Sequence, residues 1–248
     1  MTKIAIIGGS GLEKPEILQH AQSITLDTPY GNPSSDFNCG TIGGVEVAIL
    51  SRHGRDHTIP PSQVNNSANL YAIKQLGCSH ILATTACGSL RENIGRGDLV
   101  IPDQFIDFTR HREITFFKEF EPNVMKHTPM ADPFNDFLRE KLITAGRELG
   151  LTIHSHGCII TIEGPRFSTR AESRMFRIWG GDMINMSTAP ECILANELGI
   201  PYASIAMATD YDSWKDDETP VSWEEILKVF GQNVHNVINI LQKVIPQV

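Results

Sequence analysis

The run Tyr202-Ala203-Ser204-Ile205-Ala206-Met207-Ala208, entered through Gly199 and Pro201, most narrows what this chain can become. It is apolar and β-prone, and it reads as a buried strand. Thr209-Asp210-Tyr211-Asp212 follows at once, so two carboxylates sit at its C-terminal end, where open α/β sheets hold their ligands. Side chains two apart on extended chain point the same way, so Asp210 and Asp212 are placed to face one ligand. Paired carboxylates beside a planar base accept N–H bonds or, when one is protonated, donate to a ring nitrogen. Taken alone, the pair reads more readily as two solvated loop acids, since that is the default for aspartate.

The rest of the chain supplies the sheet such a strand needs. Lys3 to Ile7 is a short apolar strand running into Gly8-Gly9-Ser10-Gly11, and Val45 to Ser51 is another, after Gly43-Gly44. Ser62 is placed to cap a helix running to about Leu76, with Gly77 to end it. His80 to Thr85, Asp98 to Ile101 and Ile153 to Ile162 read as strands. Pro133 opens a helix that reaches Leu149 and stops at Gly150; further helices fall near Arg170 to Trp179 and Pro190 to Leu198. The last helix is the clearest. Ser222-Trp223-Glu224-Glu225 fits a capping box, and Ile226, Val229, Phe230, Val234, Val237, Ile238 and Leu241 form an apolar stripe. Phe108 to Met130 has weak periodicity and reads as a long excursion of the functional or interfacial kind. No repeat and no linker divides the 248 residues. The expectation is one α/β domain over 1–248, with a mixed central sheet, helices outside it and ligands at strand ends.

Charge and cysteine content exclude several classes. A net charge of −8 argues against a general nucleic-acid or membrane-surface binder, so an anionic ligand must be held by local groups. The five cysteines, Cys39, Cys78, Cys87, Cys158 and Cys192, are odd in number and form no C-x-x-C pair. They read as reduced thiols of a cytoplasmic protein. No apolar run approaches the roughly 20 residues that span a bilayer, and Met1-Thr2-Lys3 leads straight into a strand rather than into a signal-like core.

Five loops carry groups suited to chemistry. Gly8-Gly9-Ser10-Gly11 lets backbone approach a phosphate, with turn N–H groups forming an anion nest. It lacks the third glycine of a dinucleotide fingerprint, where Lys14 stands, and the G-K-[ST] ending of a P-loop. In Ser51-Arg52-His53-Gly54-Arg55-Asp56-His57, Arg52 offers a bidentate fork to an oxyanion and His53 a further donor; a solvated charged loop is the competing reading. His53 and His57 lack the glutamate and third ligand a zinc site needs, so no metal is expected. In Thr84-Thr85-Ala86-Cys87-Gly88-Ser89-Leu90, Thr85 suits phosphate, while the small Ala86 and Gly88 let a flat ring lie against the backbone. Cys87 there also fits a small buried residue of a tight turn. Thr161 to Glu172 holds Phe167, suited to stacking on a base or closing over a sugar, and Ser168-Thr169, which suit a helix cap better than a ligand. Asp182 to Ser187 holds Met186, a soft surface for a ribose, and Ser187, another phosphate donor.

Taken in order, these stretches closely resemble the trimeric purine nucleoside phosphorylase superfamily, and within it the branch acting on S-methyl-5′-thioadenosine. The resemblance is carried by Ile6 to Leu12, Ser51 to His57, Asn65 to Lys74, Thr84 to Leu90, Asp103 to Asp107, Thr161 to Ser173, Asn185-Met186-Ser187 and Ala206 to Trp214, so it spans nearly the whole chain. It implies phosphorolysis of methylthioadenosine to adenine and 5-methylthioribose 1-phosphate, within purine and methionine salvage. It implies a phosphate site of Ser10, Arg52, His53, Thr85 and Ser187. Ala86, Cys87, Gly88, Phe167, Ile184 and Met186 are implied to line the purine and ribose pockets. Asp210 is implied to face N7 and Asp212 the exocyclic amine, a pairing that selects 6-aminopurines over 6-oxopurines. The resemblance further implies a homotrimer in which a neighbouring subunit lends the segment around His127, with the 5′ substituent meeting Trp223, Ile226 and Leu227. Inorganic phosphate is a co-substrate, and no cofactor is implied. Two positions depart from the common pattern: Ser10 stands where threonine is frequent, and Trp223 where a smaller aliphatic residue is frequent. An indole at Trp223 either narrows the 5′ pocket or rotates aside and widens contact with it. A broader purine nucleoside phosphorylase and a hydrolytic nucleosidase are the rival activities.

Overall fold

A computed structural model describes residues 2–9, 17–216 and 223–248, with the side chains of 223–230 and 232 excepted. The described residues form eleven strands, β1 (Lys3–Gly8), β2 (Gln19–Ile24), β3 (Phe37–Ile42), β4 (Val45–Ser51), β5 (His80–Ser89), β6 (Leu99–Val100), β7 (Gln104–Phe108), β8 (Ile153–His154), β9 (Cys158–Ile162), β10 (Met183–Asn185) and β11 (Tyr202–Tyr211). Five α-helices join them: α1 (Asn66–Gln75), α2 (Asp136–Glu148), α3 (Arg170–Ile178), α4 (Thr188–Glu197) and α5 (Trp223–Val244). The strands make one mixed sheet in the order β2-β3-β4-β1-β5-β10-β9-β7, with β11 adding to β5 and β6, and β8 to β6. No helix among the described residues is long and apolar enough to cross a membrane.

Strand periodicity explains the layering. Ile4 and Ile6 of β1, Val47 and Ile49 of β4 and Ile205 and Met207 of β11 point to one side. There they meet Leu138 and Leu142 of α2 and Val237 and Leu241 of α5. Ala5 and Ile7, Ala48 and Leu50, and Ile81 and Ala83 point to the other side, against Leu70 and Ile73 of α1 and Leu194 of α4. Helices therefore cover both faces, and the mixed α/β expectation holds.

The central strand, β5, makes the site possible. Its first half pairs with β1 and its whole length with β11, both parallel, while its end at Gly88 and Ser89 turns antiparallel to β10. One strand end is thus surrounded by the ends of three neighbours. A bulge interrupts the β11 register: Ala208 pairs with Cys87 and Asp210 with Gly88, leaving Thr209 as the additional residue.

Several boundaries differ from the sequence expectation for identifiable reasons. Ser62 does not cap α1. Pro61–Gln63 forms a separate 3₁₀ turn, and the Asn65 side chain caps the helix by accepting from Ala68 N at 3.0 Å. Pro133 likewise precedes α2 without opening it: Asn135 is the cap, and Asn135 N first bonds to Tyr202 O. The segment from Ile153 to Ile162 is two strands, because β8 pairs with β6 while β9 joins β7 and β10. Thr169 caps α3 in a reciprocal capping box with Glu172, the structural role favoured for that pair. β11 continues three residues past Ala208, so Asp210 lies inside the strand. From Thr109 to Asn135 there is neither helix nor strand beyond one isolated bridge, as the excursion reading requires. The capping-box serine Ser222 lies outside the described residues.

Candidate active site

A single cleft collects the ends of β4, β5, β9, β10 and β11. It is lined by Arg52, His53, Thr85, Ala86, Cys87, Gly88, Phe167, Ile184, Met186, Ser187, Asp210 and Asp212. These are all the candidate residues whose side chains are described, apart from His127. His127 sits on the excursion, edge to face with Phe120 at 5.8 Å, beside a separate depression. One chain does not bring it to the cleft. Ser10 lies outside the described residues, as do the side chains of Trp223, Ile226 and Leu227.

At one end of the cleft, β4 carries Arg52 out of the sheet, where it is almost fully buried. Sequence reading gave its fork to an oxyanion; the structure gives it to Glu191 of α4. Arg52 Nε bonds Glu191 Oε1, Nη2 bonds Oε2 at 3.1 Å, and Nη1 bonds Thr84 O at 2.9 Å. Among the described residues, three of the five guanidinium N–H groups are engaged, which leaves two to turn to a ligand. Burial alone would lower the Arg52 pKa, but the adjacent Glu191 carboxylate outweighs it and raises it, so the charge persists. Tyr202 completes the cluster by donating its hydroxyl to Glu191 Oε2 at 3.0 Å.

His53 also departs from its expected role. Its Nδ1 lies 2.9 Å from Ile59 O, and a carbonyl only accepts, so Nδ1 carries the proton. Burial and the neighbouring Arg52 charge hold the ring's pKa at about 4. Near neutral pH, Nε2 is therefore an acceptor. It suits a protonated phosphate oxygen rather than serving as a further N–H donor to a bare oxyanion. His53 and His57 stack with ring centroids 4.6 Å apart. Among the described residues no three His, Cys, Asp or Glu side chains converge as a metal site would require.

Beside Arg52, Thr85 Oγ1 and Ser187 Oγ are 3.2 Å apart, and Asn185 Nδ2 donates to Thr85 at 3.1 Å. Glycine and sulfur shape the middle of the cleft. Gly164 has φ +67°, and a Cβ there would stand 2.4 Å from Met186 Sδ, so only glycine lets the methionine occupy that wall. Arg112 fixes the same wall from the excursion: its guanidinium bonds Glu163 Oε1 at 2.7 Å and reaches Met186 O at 3.3 Å.

The other end of the cleft is built around Gly88. A Cβ there would come within 3.0 Å of Ile184 Cγ2, 3.4 Å of Asp212 Cβ and 3.6 Å of Asp210 Oδ2. Its bareness keeps a flat slot open between Ile184 and both carboxylates. The bulge at Thr209 aims Asp210, and Thr209 Oγ1 holds Asp210 Oδ1 at 2.7 Å. Asp212 N is tied to Ser89 O at 3.0 Å. The Asp212 carboxyl is buried, and burial raises its pKa; the nearby Ser173 hydroxyl offsets this only in part. Among the described residues neither Asp212 Oδ2 nor the hydroxyls of Ser168 and Ser173 closes a hydrogen bond, although both hydroxyls stand near enough to the carboxyl to offset its shift in part. The two acids are thus not solvated loop residues. Phe167 stands over the cleft and remains 60% exposed.

Sequence reading did not assign roles to Glu191, Tyr202, Thr84, Asn185, Arg112 or Glu163. Only Glu191 left a signal, as a charged residue in the otherwise apolar run from Ala189 to Leu194. A lone acid in such a run points to a buried partner.

The chain has close relatives among known proteins. A sequence profile described as the Phosphorylase superfamily matches residues 3–246. An S-methyl-5′-thioadenosine phosphorylase of Xenopus tropicalis is 54% identical, over 99% of this chain and 89% of its own. The protein of the same name from Danio rerio is 51% identical over the same shares. A solved structure of methylthioadenosine phosphorylase from Schistosoma mansoni in complex with adenine superimposes with a TM-score of 0.93. It is 41% identical, and the match covers 100% of this chain and 92% of that one. The chain therefore belongs to the phosphorylase superfamily.

Proposed function

We propose that the chain is a phosphorylase that cleaves S-methyl-5′-thioadenosine with inorganic phosphate, giving adenine and 5-methylthioribose 1-phosphate for purine and methionine salvage. The observation that carries this is one cleft with an anion end (Arg52, Thr85, Ser187) and, past Met186, a bare-floored slot between two carboxylates. Relatives at about half identity over the whole chain bear the methylthioadenosine phosphorylase name, and a Schistosoma mansoni variant of that enzyme has been solved with methylthioadenosine bound.

The chemistry follows from the two ends. Breaking the C1′–N9 bond leaves positive charge on the ribose and negative charge on the purine. Phosphate held by Arg52 and the hydroxyls of Thr85 and Ser187, with Ser10 assigned to the same cradle, is placed to form the new C1′–O bond from the opposite face. His53 Nε2 accepts from its protonated oxygen. Asp210, held through Oδ1 by Thr209, presents Oδ2 to the slot and takes the N7 role, sharing a proton with the leaving base. Asp212, whose buried Oδ2 closes no hydrogen bond among the described residues, accepts from the 6-amino group. Cys87, Ala86, Ile184, Met186 and Phe167 shape the pocket around base and sugar. Trp223, Ile226 and Leu227 are assigned to the 5′ substituent, and His127 is assigned to the site of a neighbouring subunit in a homotrimer. We assign no cofactor, and a single domain in the cytoplasm. All five cysteines are free thiols, which supports a reducing compartment.

The deciding experiment compares kcat/KM for methylthioadenosine, adenosine and inosine, with and without phosphate. Turnover should require phosphate, and inosine should be at least ~10²-fold poorer, because a slot built to pair an amino group leaves Asp212 unpaired against a 6-oxo base. Cleavage unchanged without phosphate marks a nucleosidase instead. Equal turnover of inosine marks a broader purine nucleoside phosphorylase.

A further inference from the structure

We propose that Asn185 and Thr161 are positioning residues that fix the direction of the hydrogen bond Thr85 gives to phosphate. The inference rests on the reading of Thr85 as a phosphate ligand.

The direction is set by backbone N–H groups, which only donate. Ala189 N, in the first turn of α4, donates to Thr161 Oγ1 at 3.0 Å. The Thr161 hydroxyl hydrogen is thereby turned toward Asn185 Oδ1, 2.9 Å away. Ser187 N and Thr188 N also point at that oxygen, at 3.4 and 3.5 Å. Three donors converging on one atom settle which way the amide faces: its oxygen toward them, its NH₂ away. Nδ2 then donates to Thr188 Oγ1 at 2.6 Å and to Thr85 Oγ1 at 3.1 Å.

Thr85 Oγ1 also faces the Cys87 thiol at 4.0 Å. Burial pushes that thiol up to about 12, so it stays protonated and has a hydrogen to give to Thr85 Oγ1. With its lone pairs facing donors, Thr85 keeps one thing to offer, its own hydroxyl hydrogen. That hydrogen can go to Ala86 O at 3.3 Å, to Ser187 Oγ at 3.2 Å or to an anion in the cleft. A freely turning hydroxyl would sometimes present a lone pair to phosphate, which is repulsive. Here the lone pairs are already committed before the anion arrives, so binding only turns the hydroxyl hydrogen from Ala86 O or Ser187 Oγ to the anion. Thr161, Asn185 and Thr85 are all buried, so bulk water does not compete for these bonds. Thr161 does not line the cleft, and its influence must pass through Asn185.

The test is steady-state kinetics of the intact enzyme, titrating phosphate and methylthioadenosine separately. Thr161→Val keeps the shape and removes the hydroxyl. It should raise the phosphate KM about fivefold to twentyfold, the scale of one misdirected buried hydrogen bond, and leave the nucleoside KM within about twofold. Thr161→Ser should restore the native value. Asn185→Asp puts a carboxylate oxygen where the NH₂ stood. Thr85 would then donate to it rather than to phosphate, and the phosphate KM should rise at least ~100-fold. Should Thr161→Val fail to fold, Asn185→Asp carries the test. Thr85→Val separates the two levels of the argument. If it leaves the phosphate KM unchanged, the assignment of Thr85 to phosphate is wrong. If Thr85→Val weakens phosphate but Thr161→Val and Asn185→Asp do not, or weaken both substrates equally, the relay is refuted.

Discussion

The two ends of the cleft satisfy their polar groups in opposite ways. At the anion end, the guanidinium of Arg52, the carboxylate of Glu191, the phenol of Tyr202 and the amide of Asn185 are bonded to one another or to backbone. At the base end, Asp212 Oδ2 and the hydroxyls of Ser168 and Ser173 are buried and, among the described residues, close no full hydrogen bond, although the two hydroxyls face the carboxyl. The first end has its framework fixed before any ligand binds, with a few donors left over, which suits an anion whose position must be fixed for in-line attack. The second end holds bonding capacity in reserve, and an unmatched base leaves that reserve unpaired, which is how a slot discriminates. Rigidity belongs to catalysis here, and incompleteness to selectivity.

The sharpest way to break this comparison is to remove Arg52. Arg52→Met leaves Glu191, 1% exposed, as an uncompensated charge beside Tyr202. We expect a loss of about 3–5 kcal/mol in unfolding free energy, together with loss of phosphorolysis. The double variant Arg52→Met/Glu191→Leu removes both charges and should regain most of the stability while remaining inactive. Chemical denaturation with an activity assay reads both quantities. A double variant as unstable as the single one would show that the pair does not stand or fall together.

The selectivity of the base end is tested next. Asp212→Asn replaces an acceptor by a group that can also donate. kcat/KM for methylthioadenosine should fall about 10²-fold, near 2.7 kcal/mol. For its 6-oxo counterpart it should fall far less, so the ratio between the two bases narrows or inverts. The phosphate KM should stay within about twofold of native, because Asp212 has no part in the Arg52 cluster. Equal losses on both bases would remove Asp212 from base recognition.

The unequal legibility of the fold and the site has the same origin. Strands such as Lys3 to Gly8 and Val45 to Ser51 were readable because burial on both faces imposes an apolar run. β2, with the sequence QHAQSI and an exposed pattern, has no such imprint; it exists because β3 offers it an edge. β10 is three residues long and pairs with two partners far away in sequence, so nothing local announces it. In the site, Asp210, Asp212, Thr85 and Gly88 were legible because strand ends are where ligands sit and because small or acidic residues there are unusual. The Arg52–Glu191 pair was not. Its members are 139 residues apart, and the fork of Arg52 looked free only because its partner is brought to it by α4. The neutral state of His53 was hidden for a similar reason: it depends on Ile59 O and on the charge of Arg52, both matters of folded geometry.

The smallest expected effect concerns stability and completes the contrast. The folded-state pKa of Asp212 is raised above its ordinary value, chiefly by burial. The folded protein therefore holds a proton there more tightly than the unfolded chain does, and above the raised pKa the ionised, buried carboxylate opposes folding. Asp212→Asn removes that penalty. At neutral pH the variant should melt about 2 °C higher than native, even as its selectivity is lost. The difference should shrink as pH falls through the raised pKa and vanish once Asp212 is protonated in both states. At the anion end, every removal of a single partner should lower the melting temperature at all of these pH values. A melting series from pH 7 down to pH 3 on Asp212→Asn and Arg52→Met reads both trends. If Asp212→Asn is less stable than native at neutral pH, the base end is not holding an unsatisfied charge, and its selectivity must come from shape alone.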